Sequence, residues 1–250
     1  MPAPIQSFLT APPVTQFQVS LEPAQNMLHD LMLLTKAEEL SGLAEWVYHT
    51  NESLSTENRQ RNRLVLVGFH YALTPERSFP SFTAYIDHLA AMDPVKLRDK
   101  MMEAYWNLGC YHLEEGATGL SVEAALQNVE NYLTFLTERF PEELVDRELE
   151  SLAYTYVIDP PQMQTIIVAH MRNMWHAYLK EEWERVRPMI QAAVEAFQQI
   201  DYSQMEKLEA ARSIVGQGME EKHWIDEIEQ AEQLLFVPNP HIGPYIGMFM

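Results

Sequence analysis

The sequence has 250 residues, of which 47% are hydrophobic and 21% are charged, so it is long enough to bury a sizeable core. Its formal net charge of −19 at pH 7 argues against direct binding to a nucleic-acid backbone, because phosphates are neutralised by lysine and arginine. The single cysteine, Cys110, excludes an internal disulfide and fits a reducing compartment.

The chain begins with a proline-rich stretch and one short strand. Residues 1–15 are predicted to be a flexible leader, and they lack the basic region followed by an apolar block that a secretory signal needs. Phe17, Val19 and Leu21 alternate with polar residues, which predicts a half-buried strand. No window approaches about twenty apolar residues, so no membrane span is expected and we expect a cytoplasmic protein.

Helical patterns fill most of the chain after Pro23, which stands in a first-turn position. Capping residues predict further helix starts at Thr35 with Glu38, Ser55 or Thr56, Asp93 before Pro94, Ser121, and Ser203 with Glu206, and Asp159 before Pro160 and Pro161 marks a helix stop and start. Few glycines (9) and many methionines (14) also favour helices over a sandwich or barrel. We therefore expect a mostly α fold.

The longest apolar stripe lies in residues 166–199. Its members recur every three or four residues, as on one face of a helix: Val168, Met171, Trp175, Leu179, Trp183, Val186, Ile190, Val194 and Phe197. Pro188 lies inside the stripe, where its ring removes a hydrogen bond and clashes with the carbonyl of Glu184. We expect a long helix that kinks or breaks near Arg187.

The last stretch has a β-prone character. Residues 234–237 and 245–249 are short apolar runs separated by a connection rich in proline and glycine, which predicts a hairpin. Together with the N-terminal strand it is expected to form a small antiparallel β element. The sequence shows no internal repeat, so residues 1–250 are predicted to form a single helical domain.

Metal and phosphate chemistry have weak local signatures. A carboxylate-bridged metal pair in a helical bundle needs two Glu-x-x-His motifs, and only Glu220 with His223 supplies one. His170 and His176 are separated by about 240° around a helix, so they cannot chelate one ion from one face. There is no glycine-rich phosphate loop. We predict neither a metal nor a cofactor.

Aromatic side chains are frequent on the predicted buried stripes. At helical spacing such residues usually fill the core. The competing interpretation is an apolar small-molecule pocket between helices, with hydroxyl and imidazole groups giving polar contacts. The candidate ligand-binding residues are Tyr105, Trp106, His170, Trp175, His176, Tyr178 and Trp183.

Three pieces of the sequence form a recognisable set. They are residues 17–23 (FQVSLEP), 183–188 (WERVRP) and 235–245 (LFVPNPHIGPY). In this order and at these separations the chain resembles the N-terminal region of a family of bacterial ArsR-like transcriptional regulators. In that family a helical domain precedes a C-terminal winged helix-turn-helix, so the resemblance implies a regulatory domain.

The sequence departs from the family in lacking a basic, turn-linked recognition helix. If the resemblance holds, the DNA-binding domain would lie after Met250 in the natural chain, and this segment would not itself contact nucleic acid. Metal sensing is not carried over, because Cys110 alone offers no thiolate cluster.

We therefore expect a regulatory domain, not an enzyme, that senses a ligand or dimerises. Its partners would be an apolar or aromatic small-molecule effector, a second copy in a homodimer, and DNA through the missing domain. The Pro188 kink and the C-terminal hairpin are the elements expected to transmit the signal. The alternatives are a stand-alone helical small-molecule-binding protein, or a small enzyme using His176 or His170 with nearby carboxylates.

Overall fold

The computed structural model describes residues 16–109, 119–202, 205–216 and 222–247. Within these ranges the chain is mostly helical and carries one small two-stranded sheet, which confirms the predicted fold class. The predicted leader, Cys110, the capping residue Ser203, Glu220 and Met250 lie outside the described residues.

The chain divides into two compact units, and each is described by itself. The smaller unit is Met1–Leu21 with Pro188–Pro238, and the larger is Glu22–Arg187 with Asn239–Met250. The single-domain assignment stays a prediction.

The larger unit holds most of the helices. They are α1 (Pro23–Lys36), α2 (Glu45–Ser53), α3 (Thr56–Arg63), α4 (His70–Leu73), α5 (Phe82–Ala91), α6 (Pro94–Gly109), α7 (Val122–Ala125), α8 (Val129–Thr137), α9 (Arg147–Val157) and α10 (Pro160–Met174), followed by the start of α11 (Lys180–Gln198). One 3₁₀ turn (Glu142–Leu144) and two π-helical turns (Leu64–Gly68 and Trp175–Leu179) interrupt them. Helix α10 packs against α5, α6 and α9, so it lies at the centre of this unit.

The smaller unit contains the rest of α11, then α12 (Lys207–Val215) and α13 (Lys222–Gln230), with strands β1 (Gln16–Val19) and β2 (Gln233–Phe236). The two strands pair in parallel, with Gln16 opposite Gln233 and Val19 opposite Phe236. The predicted antiparallel arrangement is therefore wrong. The strands are joined by the whole helical chain and not by a tight turn, so nothing in the connection forces opposite directions.

The predicted C-terminal hairpin is also wrong within the described residues. β2 forms its first arm, but residues 245–247 are not a strand, and Phe249 lies outside the described part. Pro238 and Pro240 lack the backbone N–H that a sheet ladder needs, so this segment cannot continue the pairing. It folds against α1 and α11 instead, as set out below.

Capping residues correctly predicted four helix starts. Ser55, Asp93, Ser121 and Asp159 each accept a hydrogen bond from a first-turn amide. The predicted start at Thr35 is wrong. Thr35 lies inside α1, where its backbone is helical and its hydroxyl donates to the Met32 carbonyl at 2.7 Å, so it does not begin a new helix.

The central stripe is largely buried, from Val168 to Val194, with Phe197 half-buried. A break near Arg187 is wrong, because α11 runs from Lys180 to Gln198 with Pro188 inside it, whereas a kink there stays a prediction. Burying a large apolar side chain stabilises by about 1.5–3 kcal/mol. Several such residues on both sides of Pro188 offset the roughly 3 kcal/mol that an interior proline costs.

No described helix has both the length and the apolar character needed to cross a membrane.

Loss of one cap should have a moderate, measurable effect. Ser81 caps α5 by accepting the Ala84 amide at 3.1 Å, and α5 carries the buried Phe82, Tyr85, Ile86 and Leu89. We expect Ser81→Ala to lower the free energy of unfolding by about 1 kcal/mol in urea denaturation. Ser151→Ala is the control, because that hydroxyl only contacts the Arg147 carbonyl within α9. Equal losses in the two variants would contradict the capping role.

Candidate functional site: a buried histidine between two carboxylates

The seven predicted ligand-binding residues lie in different environments. Tyr105, His170, Trp175 and Trp183 are buried, Tyr178 is half-buried, and Trp106 and His176 are exposed. A shallow recess in the larger unit is lined by Leu28, Met32, Leu66, His70, Leu73 and Thr74, and none of the seven belongs to it. The pocket therefore stays a prediction.

The predicted aromatics that make defined contacts pack against other side chains. Trp175 lies 5.7 Å from the Phe82 ring, and Tyr105 lies edge-on to Tyr71 at 5.3 Å. Trp106 covers the guanidinium of the fully buried Arg139, at 4.8 Å. Such contacts are those of core packing and of a cation–π pair.

His170 and His176 are not brought together. His170 is buried, and its Nε2 lies 2.9 Å from Asn62 Oδ1. Because the Asn62 amide donates to the Leu31 carbonyl at 2.8 Å, the Asn62 oxygen faces His170 and the ring must donate through Nε2. Burial lowers the pKa of His170 to about 4, so the ring is neutral at pH 7. This histidine connects α1, α3 and α10, whereas His176 faces solvent.

A second group of titratable side chains is buried beside α9. The Tyr132 hydroxyl donates to Glu150 Oε2 at 3.2 Å, and the Tyr105 and Tyr132 hydroxyls are hydrogen-bonded to each other. Burial raises the pKa of Glu150 to about 7, against the opposing effect of the Tyr132 hydrogen bond. Tyr105 thus belongs to a polar cluster inside the core.

The most highly charged buried site was not predicted. His241 is 1% exposed, and its two ring nitrogens face two different carboxylates. Nδ1 lies 2.9 Å from Asp30 Oδ1 on α1, and Nε2 lies 2.7 Å from Glu182 Oε1 on α11. Asp30 is 1% exposed and Glu182 is 7% exposed, so all three charged groups are removed from water.

Further side chains complete the hydrogen bonding of this site. The Asn239 amide donates to Asp30 at 2.8 Å, and its oxygen accepts the His241 backbone N–H at 2.7 Å. Arg185 donates to Glu182 Oε2 through Nε at 2.7 Å and also contacts Oε1. Trp46 on α2 stacks on the imidazole with 4.7 Å between ring centroids. Both oxygens of Glu182 and the Oδ1 of Asp30 therefore accept hydrogen bonds.

The geometry favours an imidazolium at His241, because each ring nitrogen faces a carboxylate oxygen. A neutral imidazole has one N–H, and it would point a bare nitrogen at one of the carboxylates. Burial by itself lowers the pKa of His241, but hydrogen bonds and charges from Asp30 and Glu182 outweigh it and raise that pKa above the ordinary 6.5. Two carboxylates, one imidazolium and the Arg185 guanidinium then balance in charge.

The same balance acts on Glu182. Burial opposes its charge, but the hydrogen bonds and charges of Arg185 and His241 outweigh burial and lower the pKa of Glu182 below 4.5. The site is thus built for four ionised groups at pH 7. It is closed to substrates, since the histidine is 1% exposed, so the arrangement can hold a segment of chain in place but cannot exchange protons with a ligand.

Two glycines let the segment that carries His241 lie close to the loop before α2. Gly42 and Gly243 have positive φ angles of 83° and 62°. A Cβ added at Gly243 would lie 2.0 Å from the Gly42 carbonyl oxygen. Beside this contact, Ala44 N–H donates to the His241 carbonyl at 3.1 Å, and Tyr245 Oη donates to the Ser41 carbonyl at 2.9 Å.

The close approach predicts a large difference between two glycine substitutions. Gly119 has a φ of 63°, almost that of Gly243, but nothing lies within 4 Å of its would-be Cβ. Gly119→Ala should therefore cost only the backbone strain, about 1–2 kcal/mol. Gly243→Ala should lower the free energy of unfolding by a further 1–3 kcal/mol or so, because the new methyl group meets backbone. Equal losses in urea denaturation would contradict the packing of the segment.

Comparison with known proteins gives no relative: the sequence matches no protein-family model, and neither a curated protein nor a solved structure is similar to it. Within the described residues no group of three or more His, Cys, Asp and Glu side chains is arranged to hold a metal ion. The site is therefore assigned from its geometry alone.

Proposed function

We propose that the chain is the N-terminal regulatory domain of a bacterial transcriptional regulator resembling the ArsR-like family. In this proposal it is a cytoplasmic protein, and a DNA-binding domain follows Met250 in the natural chain. The domain acts by sensing an apolar or aromatic effector or by forming a homodimer.

One observation carries the proposal: the three sequence pieces that prompted the resemblance are connected to one another by contacts. Leu235 and Phe236 of the third piece pair with β1 of the first, in the parallel sheet. His241 of the third piece binds Glu182, which directly precedes the second piece and is also held by its Arg185. The third piece thus contacts the first piece in the smaller unit and the neighbourhood of the second piece in the larger unit. Such contacts are expected if the three pieces belong to one fold.

The proposed mechanism uses the anchored segment as the output. An effector favours one arrangement of helices only if it binds that arrangement more tightly. A shift of α1 relative to α11 would change the distance between Asp30 and Glu182, which together hold His241. The segment from Asn239 onwards would carry that change towards the DNA-binding domain. The output thus lies in the His241 contacts, and the hairpin named in the sequence analysis is not needed.

The coding sequence past the codon for Met250 tests the proposal. A continuous reading frame that encodes a basic, amphipathic helix-turn-helix pattern would support it. A stop codon directly after Met250 would contradict it, because the regulator would then have no output module. The enzyme alternative gains no support from His170, which is buried and neutral.

A further inference from the structure

Residues 239–247, here named the strap, have an unusual anchor. Of these nine residues only His241 is buried; the others are half-buried or exposed. A segment docked by an apolar side chain would be held equally at every pH, because burial of apolar surface involves no proton. The strap is held by an ionised side chain between two carboxylates instead.

The remaining contacts of the strap form beside His241, at Asp30 and at the loop before α2. Asn239 donates to the same Asp30 oxygen that faces His241. The Ala44 amide reaches the His241 carbonyl, and Ser41 exchanges backbone contacts with the Tyr245 hydroxyl. When His241 is no longer bound between Asp30 and Glu182, no buried side chain of the strap holds these contacts in place.

We propose that the strap is a pH-releasable element: it is locked by the imidazolium of His241 between Asp30 and Glu182, and it detaches from α1 and α11 when that charge pattern is lost, while the helices of the larger unit stay folded. This goes beyond the regulator function and does not depend on it, because it concerns the chain by itself.

Within the described residues, the charged or titratable groups that face the imidazole come from the helices packed against it. Helix α1 contributes Asp30 and His29, whose ring lies against the strap at Gly247. Burial lowers the pKa of His29, with Asp30 opposing and His241 assisting, so His29 stays neutral and adds no competing charge at pH 7. Helix α11 contributes Glu182 and Arg185, and α2 contributes only the uncharged Trp46.

The direction of the pH dependence follows from the raised pKa of His241. The stabilisation by its proton is fully present below the ordinary value of 6.5 and is lost as the pH rises to the higher value of the docked state. Because one proton is involved, the opening equilibrium rises by up to about tenfold per pH unit in that interval and then levels off. On the acid side, the stabilisation by ionised Glu182 is lost as the pH falls below 4.5 towards its lowered pKa.

Amide hydrogen exchange of the full 250-residue chain, followed by NMR between pH 5 and pH 9, tests this proposal. The reporters are Ala44 and Ser41, whose amides are bonded to the strap, and the reference is Ile167 in the centre of α10. Protection factors are compared, since they remove the intrinsic pH dependence of exchange. We expect protection of Ala44 and Ser41 to fall by up to about tenfold per unit above pH 6.5 and to stay well below that of Ile167 at every pH, because the strap opens without global unfolding.

Two substitutions sharpen the test. His241→Gln should give low, pH-independent protection at Ala44, whereas the control His49→Gln, at a side chain that is 76% exposed, should behave as the wild type. If His241→Gln does not fold, Glu182→Gln takes its place and should shift the loss of protection to lower pH. Flat protection in the wild type, wild-type protection in the variant that folds, or protection of Ala44 equal to that of Ile167 at every pH would each overturn the proposal. None of these results bears on the coding sequence after Met250.

Discussion

Replacement of His241 by alanine is expected to lower the free energy of unfolding at pH 7 by about 3–5 kcal/mol. The substitution removes the positive charge shared by Asp30 and Glu182, which are each less than a tenth exposed. If the strap stays docked, a buried carboxylate loses its partner; if it detaches, all contacts of the strap are lost. Urea denaturation measures the change.

The matched control is His49→Ala. His49 lies on α2 and is solvent-exposed, so its replacement should change stability by no more than about 0.5 kcal/mol. A loss below about 1 kcal/mol for His241→Ala would show that the charged anchor contributes little, and the account of the site would then be wrong.

Replacement of Glu150 by glutamine is expected to stabilise the protein at alkaline pH. The pKa of this buried carboxyl is raised from 4.5 to about 7, so its protonated form contributes stability below pH 4.5, and the contribution is lost as the pH rises through 7. Glutamine keeps an oxygen that can accept the Tyr132 hydroxyl but cannot ionise. At pH 8–9 the variant should be more stable than the wild type by about 2–3 kcal/mol.

Urea denaturation at several pH values checks this prediction. The stability difference should shrink towards zero near pH 4 and reach its plateau above pH 8. Glu184→Gln on the exposed face of α11 serves as the control and should show little change at any pH. A Glu150→Gln variant that is less stable than the wild type at pH 9 would contradict a raised pKa, because the buried charge would then be stabilising.

Local chemistry explains why most helices could be predicted from the sequence. Ser55, Asp93 and Asp159 have short polar side chains that satisfy first-turn amides, and that requirement does not depend on the rest of the fold. Thr35 fits the same pattern, but its hydroxyl finds the Met32 carbonyl inside a helix that continues past it. A capping pattern is thus reliable only where the preceding helix has ended.

Strand direction depends on distant parts of the chain. The apolar runs at Phe17 and Leu234 predict strands, and β1 and β2 are found there. Their parallel pairing results from the path of more than two hundred intervening residues, which no short pattern encodes. The continuity of α11 through Pro188 is similar, since burial along the whole stripe outweighs a local helix breaker.

The candidate site could not be read from the sequence for a comparable reason. Asp30, Glu182 and His241 are separated by more than fifty residues at each step, and each lies in an ordinary local context. Asp30 sits within an apolar helix, which is the one available signal, because an isolated carboxylate on a buried face needs a partner. The sequence analysis predicted aromatic residues as the binding site instead, but their helical spacing does not distinguish residues that line a cavity from residues that fill the core.

The protonation state of His241 is the most direct test of the account. Two-dimensional NMR that correlates the ring nitrogens with the ring protons of ¹⁵N-labelled histidine distinguishes an imidazolium from either neutral tautomer. At pH 7 we expect His241 to give the imidazolium pattern, with both nitrogens protonated, and to keep it above pH 6.5. A neutral tautomer at pH 7 would contradict the account, because one carboxylate would then face a nitrogen without a proton.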